Sequence, residues 1–167
     1  MIKLMRRAGA VLVAAAVAIG VAAVPASAHM IAEPYTAETK FFHTAFRVTH
    51  GCAGSATTEV RMQIPEGLHL VTPDPVPGWE LKVTRAVGAG QGFGRVVEVT
   101  WTGGLLPDHE QALFGMGFRI DRNAPEMLWF PTIQKCEVGE NRWVEIPPTM
   151  EEWHVYSSAP FVINKAW

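Results

Sequence analysis

The chain has 167 residues, of which 49% are hydrophobic, and 14 Lys+Arg stand against 16 Asp+Glu for a formal net charge of −2. A mildly acidic chain with no basic run argues against nucleic acid or an anionic membrane as partner. The length suits one domain with a real core, which needs no dense set of disulfides to stand.

The first 28 residues read as a secretory signal peptide. Lys3, Arg6 and Arg7 precede an uncharged Ala/Val-rich run from Ala8 to Val24, then Pro25 and the triplet Ala26-Ser27-Ala28. Basic, apolar and small-x-small parts in that order are the three parts of such a signal. The apolar run is short for a bilayer-spanning helix, which needs about 20 residues. Cleavage after Ala28 lowers Lys+Arg from 14 to 11 against 16 acids. The expected product is acidic, periplasmic or secreted and not membrane-embedded, and it begins with His29.

An N-terminal His29 offers an α-amine, of pKa about 8, and an imidazole on the same residue. Two nitrogens so placed suit Cu(II), which favours tetragonal N/O coordination. The plain alternative is a residue that merely follows a cleavage site, at a terminus that frays.

Downstream, strand patterns alternate with turns and helical periodicity is almost absent. Thr39 to Val48 is rich in aromatic and β-branched residues, which favour strands. Thr57 to Ile64 alternates, with Val60, Met62 and Ile64 on one face and Glu59, Arg61 and Gln63 on the other, the mark of a half-buried strand. Pro65-Glu66-Gly67 ends it. Leu68 to Val71 reads as a short strand. Glu80 to Arg85 and Arg95 to Thr102 read as partners around the loop Ala86 to Gly94, and Gly103 to Glu110 as a loop. Ala112 to Ile120 is a further strand, and Met127 to Cys136 with Arg142 to Ile146 a hairpin. From Pro147 onward no period is visible, so 148–167 is expected as a C-terminal tail to a domain at 29–147. Seven or eight short strands with turn signals between them predict an all-β antiparallel sandwich, cupredoxin- or immunoglobulin-like.

The two cysteines, Cys52 and Cys136, most simply form a disulfide in an exported chain. A thiolate metal pair is the alternative, without a Cys-x-x-Cys spacing to support it. No nucleophile elbow, Walker loop, dinucleotide fingerprint or His-Glu-x-x-His is present. The six histidines form no close ligand pair. His43 reads as a packed or surface strand residue, and His69 and His109 as solvated. His50, in a turn expected to return toward His29, reads either as a second ligand or as a plain turn residue. Glu33 lies about 13 Å along an extended chain from His29, so it reaches the same metal only if the terminus folds back. Trp143 reads as a core residue, or as an indole shielding a metal.

The order of several short motifs resembles the YcnI-like family. They are His29 after the leader, Arg47-Val48-Thr49-His50-Gly51-Cys52, Ser55 to Arg61 running into Ile64-Pro65-Glu66-Gly67, Pro77-Gly78-Trp79, Val99-Thr100-Trp101, Phe130-Pro131 to Cys136, and Gly139 to Trp143. The resemblance implies a cupredoxin-like exported sandwich that binds Cu(II) through the amine and imidazole of the N-terminal histidine, with a carboxylate and a tryptophan nearby. His29 and Trp143 carry over. The carboxylate does not, because Thr49-His50-Gly51-Cys52 stands where the family often has an acid. Either His50 replaces it, Glu33 or Glu59 supplies it, or the site is weaker. The implied role is a copper carrier or chaperone, not an enzyme, with a copper importer or another periplasmic copper chaperone as partner. The alternatives are a copper-dependent oxidoreductase and a metal-free envelope interaction domain.

Overall fold

The computed structural model describes residues 29–87 and 94–167. The expected signal peptide and most of the loop Ala86 to Gly94 lie outside the described residues.

Twelve strands occur among them. In chain order they are β1 (Ile31–Glu33), β2 (Thr36–Ala37), β3 (Phe41–Val48), β4 (Thr57–Gln63), β5 (Leu68–Pro73), β6 (Glu80–Arg85), β7 (Val96–Leu106), β8 (Ala112–Ile120), β9 (Met127–Trp129), β10 (Thr132–Cys136), β11 (Glu140–Trp143) and β12 (Phe161–Asn164). A four-stranded sheet in the order β1-β3-β8-β5 faces a five-stranded sheet in the order β11-β10-β4-β7-β6. All pairings in these two sheets are antiparallel. A small third sheet, β2-β12-β9, has β12 parallel to β2. The antiparallel β-sandwich expected from the alternation is the fold.

The core follows from that alternation. Val60 and Met62 of β4 are fully buried while Glu59 and Arg61 are not. They join Val99 and Trp101 of β7 and, from the opposite sheet, Phe46, Phe114 and Met116. Trp101 and Phe114 meet edge to face across the two sheets at 5.4 Å, an arrangement ring quadrupoles favour. Trp101 satisfies its buried Nε1–H on the Asp74 carbonyl at 2.9 Å.

The strands exceed the seven or eight expected, for local reasons. The run Met127 to Cys136 breaks at Phe130-Pro131, so that β9 joins the small sheet and β10 the five-stranded one. Pro131 has no N–H to continue a ladder. Strand β7 runs through Gly103-Gly104 instead of stopping there: past a register shift Leu106 still pairs with Thr57, and the Trp79 indole packs where a Gly104 Cβ would stand, 2.1 Å from the ring. The region after Pro147 is not a tail outside the sandwich. It carries a turn of 3-10 helix at Met150–Glu152 and then β12, whose Val162 is fully buried.

Candidate metal centre

Strand β1 is one edge of the four-stranded sheet and β11 one edge of the five-stranded sheet. His29, just ahead of β1, sits where these edges meet. Its ring lies 5.7 Å from that of Trp143, the last residue of β11, and 4.3 Å from that of Trp153. The residue is 8% exposed. Its Nε2 lies 2.8 Å from the Tyr156 carbonyl. A carbonyl only accepts, so Nε2 carries the proton and the neutral ring has its lone pair on Nδ1. Nδ1 is the ring nitrogen on the side of the residue's own main-chain nitrogen, linked to it through Cα, Cβ and Cγ.

The segment over His29 is tied down at both ends. Val144 and Glu145 donate their backbone N–H groups to the Ser157 carbonyl, and Ser157 N–H donates to the Glu145 carboxylate at 2.7 Å. Ser158 donates its hydroxyl to the Trp153 carbonyl, and Trp153 Nε1–H donates to Ala159. Neither Trp153 nor Tyr156 was legible as a site residue, since 148–167 shows no periodicity and the contact to His29 spans more than a hundred positions. Six tryptophans in the chain were the only available hint.

Behind Trp143 lies a buried amide relay. Trp143 Nε1–H donates to Gln134 Oε1 at 3.2 Å, and Asn141 donates to the same oxygen at 3.4 Å. Gln134 Nε2 donates to the His50 carbonyl at 2.7 Å and to Thr57 Oγ1 at 2.8 Å. His50 is thereby held at the same end of the sandwich as His29. The β1–β3 register pairs Ile31 with Arg47; extended two residues, it sets His29 beside Thr49. His50 Nδ1 donates to the Gly51 carbonyl at 2.6 Å, and its Nε2 is buried with no hydrogen-bond partner. A buried lone pair without a donor is a cost.

The two candidate acids are not gathered there. Glu33 ends β1, a straight extended strand, and its carboxylate is taken by Arg47. The terminus does not fold back to bring it to His29. Glu59 lies on the outer face of β4, opposite to buried Val60, and pairs with Lys135 at 3.2 Å. Trp143 points to the inner side, so alternation carries Glu59 away from it. Among the described residues no three His, Cys, Asp or Glu side chains converge as a metal-binding group. A chelate formed by one residue's amine and imidazole does not require such a group.

Cys52 and Cys136 are joined as a disulfide across 84 positions, which disposes of the thiolate metal pair. The bond pins the turn carrying His50 to the end of β10. The remaining histidines, His43, His69, His109 and His154, are exposed. His43 pairs with Asp74 at 2.8 Å and His69 with Asp121 at 3.1 Å. The Asn123 backbone N–H and His69 hold the Asp121 carboxyl below its ordinary value. Among the described residues no helix is long and apolar enough to cross a membrane.

Comparison with known proteins agrees with this architecture. An uncharacterized protein from Nocardia farcinica, whose crystal structure has an immunoglobulin-like fold, superposes with a TM-score of 0.64 at 24% identity, covering 81% of this chain and 97% of that one. That likeness is one of fold. No curated protein matches the chain. A family model described as a domain of unknown function, DUF1775, matches residues 29–162, which includes β12 and the segment over His29. The chain belongs to the DUF1775 family.

Proposed function

We propose that the chain, processed after Ala28 and exported, is a carrier that holds one Cu(II) on the α-amine and Nδ1 of His29. The observation that carries this reading is the hydrogen bond from His29 Nε2–H to the Tyr156 carbonyl, 2.8 Å long. A metal-binding histidine characteristically donates its other ring N–H to a carbonyl or carboxylate, which fixes the tautomer and the ring plane. Here the fold itself supplies that hydrogen bond, with indoles 4.3 and 5.7 Å away to hold the plane. The donor chemistry fits Cu(II), for which two nitrogens in a small ring are a tetragonal fragment. The orphaned Nε2 of His50, at the same end of the sandwich, is a candidate for a further donor.

Copper here is cargo. A site resting on a single residue at a chain end needs few bonds broken for transfer, which suits a carrier handing its ion to an importer or another periplasmic copper chaperone better than an enzyme. The test is a Cu(II) titration followed by metal analysis after gel filtration, on the processed protein and on His29→Ala. The expected result is one retained copper per chain in the first and none in the second. Equal retention in both contradicts the reading.

A further inference from the structure

Strands β5 and β6 form the edge of the sandwich opposite to the β1 and β11 edge where His29 sits. Along β5 runs a cavity of about 730 Å³, lined by His69, Leu70 and Val71, by Arg119 of β8, and by Arg85 and Arg95. No acidic side chain lines it among the described residues, although the whole chain has a formal net charge of −2.

The fold gathers these cations from separate strands. Phe118 and Ile120 of β8 are buried, so Arg119 between them points outward, and the register sets it directly across from His69. At the end of β6, Arg85 pairs with buried Val96. Paired residues share a face, so Arg85 stands on the inner side, where alternation calls for an apolar residue. Arg95, just ahead of β7, is held beside it by the bond from Ala86 N–H to the Arg95 carbonyl, 2.9 Å long. Strand β5 is bulged here. Its register to β8 shifts between His69 and Thr72, and Leu70 takes a φ of 51° with 71% exposure. A leucine in the left-handed region is strained, and bulges gather where a strand re-aims its side chains at a site.

The counter-charges fall short of the cations. Arg95 meets Glu66 at 3.3 Å, but that carboxylate is 88% exposed and lies outside the cavity. His69 meets Asp121 at 3.1 Å. Arg119 forms no ion pair among the described residues. An inward charge on an edge strand can serve only to deter pairing with another chain. That accounts for Arg85, but not for Arg95 and Arg119 around the same space.

A guanidinium fork grips one carboxylate or one edge of a phosphate. A phosphate monoester carries nearly two negative charges at neutral pH and three strong acceptor oxygens. It can engage several guanidinium groups where a carboxylate engages one. The cavity is larger than a bare phosphate needs and falls within the range of ligand sites, about 300–1,000 Å³. Leu70 and Val71 give it an apolar wall for whatever the phosphate is attached to. We propose that this cavity binds a phosphate monoester, its phosphate held by Arg85, Arg95 and Arg119. The site lies at the opposite edge from His29 and stands whether or not His29 binds copper. The same group occurs on soluble phosphorylated compounds and on phosphatidic acid.

The experiment is a phenyl phosphate titration of the protein that begins at His29, followed by amide chemical shifts at constant ionic strength, beside benzoate as a single-charge control. Phenyl phosphate is expected to saturate with shifts centred on His69, Leu70, Arg95 and Arg119, and benzoate to bind about tenfold more weakly. Arg119→Gln and Arg85→Gln are each expected to weaken phenyl phosphate about tenfold. Both side chains stand outside the core, so these variants keep the test independent of folding. Arg142→Gln removes the same charge from β11 at the other edge and is expected to change nothing. Co-sedimentation with phosphatidic acid vesicles but not with phosphatidylglycerol vesicles of equal total charge assigns the lipid headgroup as the source. Saturation by phenyl phosphate without sedimentation assigns a soluble ester. Either supports the site. Equal affinity for benzoate, an equal loss in Arg142→Gln, shifts centred elsewhere, or no saturation overturns it.

Discussion

The imidazole Nε2–H of His29 donates to the backbone carbonyl of Tyr156 across 127 positions of sequence, at 2.8 Å. A residue at the very start of the domain is thus held by one near its end. The bond directs the imidazole's lone pair to Nδ1, and the indole of Trp153 lies against the ring at 4.3 Å. The start of the domain is therefore held in place by its end.

The amide relay behind that donor has a measurable weight. Gln134→Ala removes two hydrogen bonds given and two received, stranding the Trp143 N–H and the His50 carbonyl in a buried place. The expected loss is about 2–4 kcal/mol, read from urea unfolding. A change within 0.5 kcal/mol would mean that water replaces the amide without cost.

The disulfide between Cys52 and Cys136 closes a loop of 84 positions. The chain-entropy model gives about 4 kcal/mol for a loop of that order. The paired Cys52→Ser and Cys136→Ser variant is expected to lose that much stability, measured by denaturant midpoint. Unchanged stability would show that the sandwich holds the His50 turn without the bond.

On the outer face of the four-stranded sheet, Gly115 makes room for a carboxylate. A Cβ there would stand 2.1 Å from Asp74 Oδ2, the oxygen that pairs with His43. Gly115→Ala is expected to cost about 1–3 kcal/mol through overpacking, and His43→Ala under about 1 kcal/mol because that pair is exposed. Thermal unfolding of the two variants gives the order. A reversed order contradicts the steric account.

Asp121 sets a pH dependence. The Asn123 backbone N–H first, and then His69, favour its ionised form, so its carboxyl titrates below its ordinary value in the folded protein. With the folded value depressed, the unfolded chain binds the proton more readily. The stabilisation is present above the ordinary carboxylate range, about pH 4, and is lost as pH falls through the folded value. Asp121→Asn is expected to flatten the acid side of the stability curve and leave the curve's shape near neutrality unchanged. An acid limb identical to that of the parent protein removes Asp121 from the account.

The sandwich was legible because burial in it follows a period of two, as in Val60 and Met62 against Glu59 and Arg61. The short strands β1, β2 and β12 were not, since two to four residues carry no period and their pairing is set by partners far away. Gly104 acts through the Trp79 indole that packs on it, which local pattern does not reveal. His29 and Trp143 were named from the expected leader junction and from the resembling motifs, and the fold sets their rings 5.7 Å apart. Glu33 and Glu59 were named as acids within reach of a copper site, but the straightness of β1 and the outward face of β4 direct them elsewhere. Trp153 and Tyr156 were missed because stacking and carbonyl capture across such a separation leave no local signal.

The most direct test is Cu(II) electron paramagnetic resonance on the protein that begins at His29 beside a version with one extra residue ahead of it. The extension turns the α-amine into an amide and moves the free amine away, while leaving the imidazole, Tyr156 and both tryptophans in place. The predicted result is a one-to-one tetragonal signal with nitrogen hyperfine in the native protein, lost in the extended one. Identical spectra from the two, or no specific signal from either, would contradict the chelate and leave His29 as a packed residue at the seam of a β-sandwich.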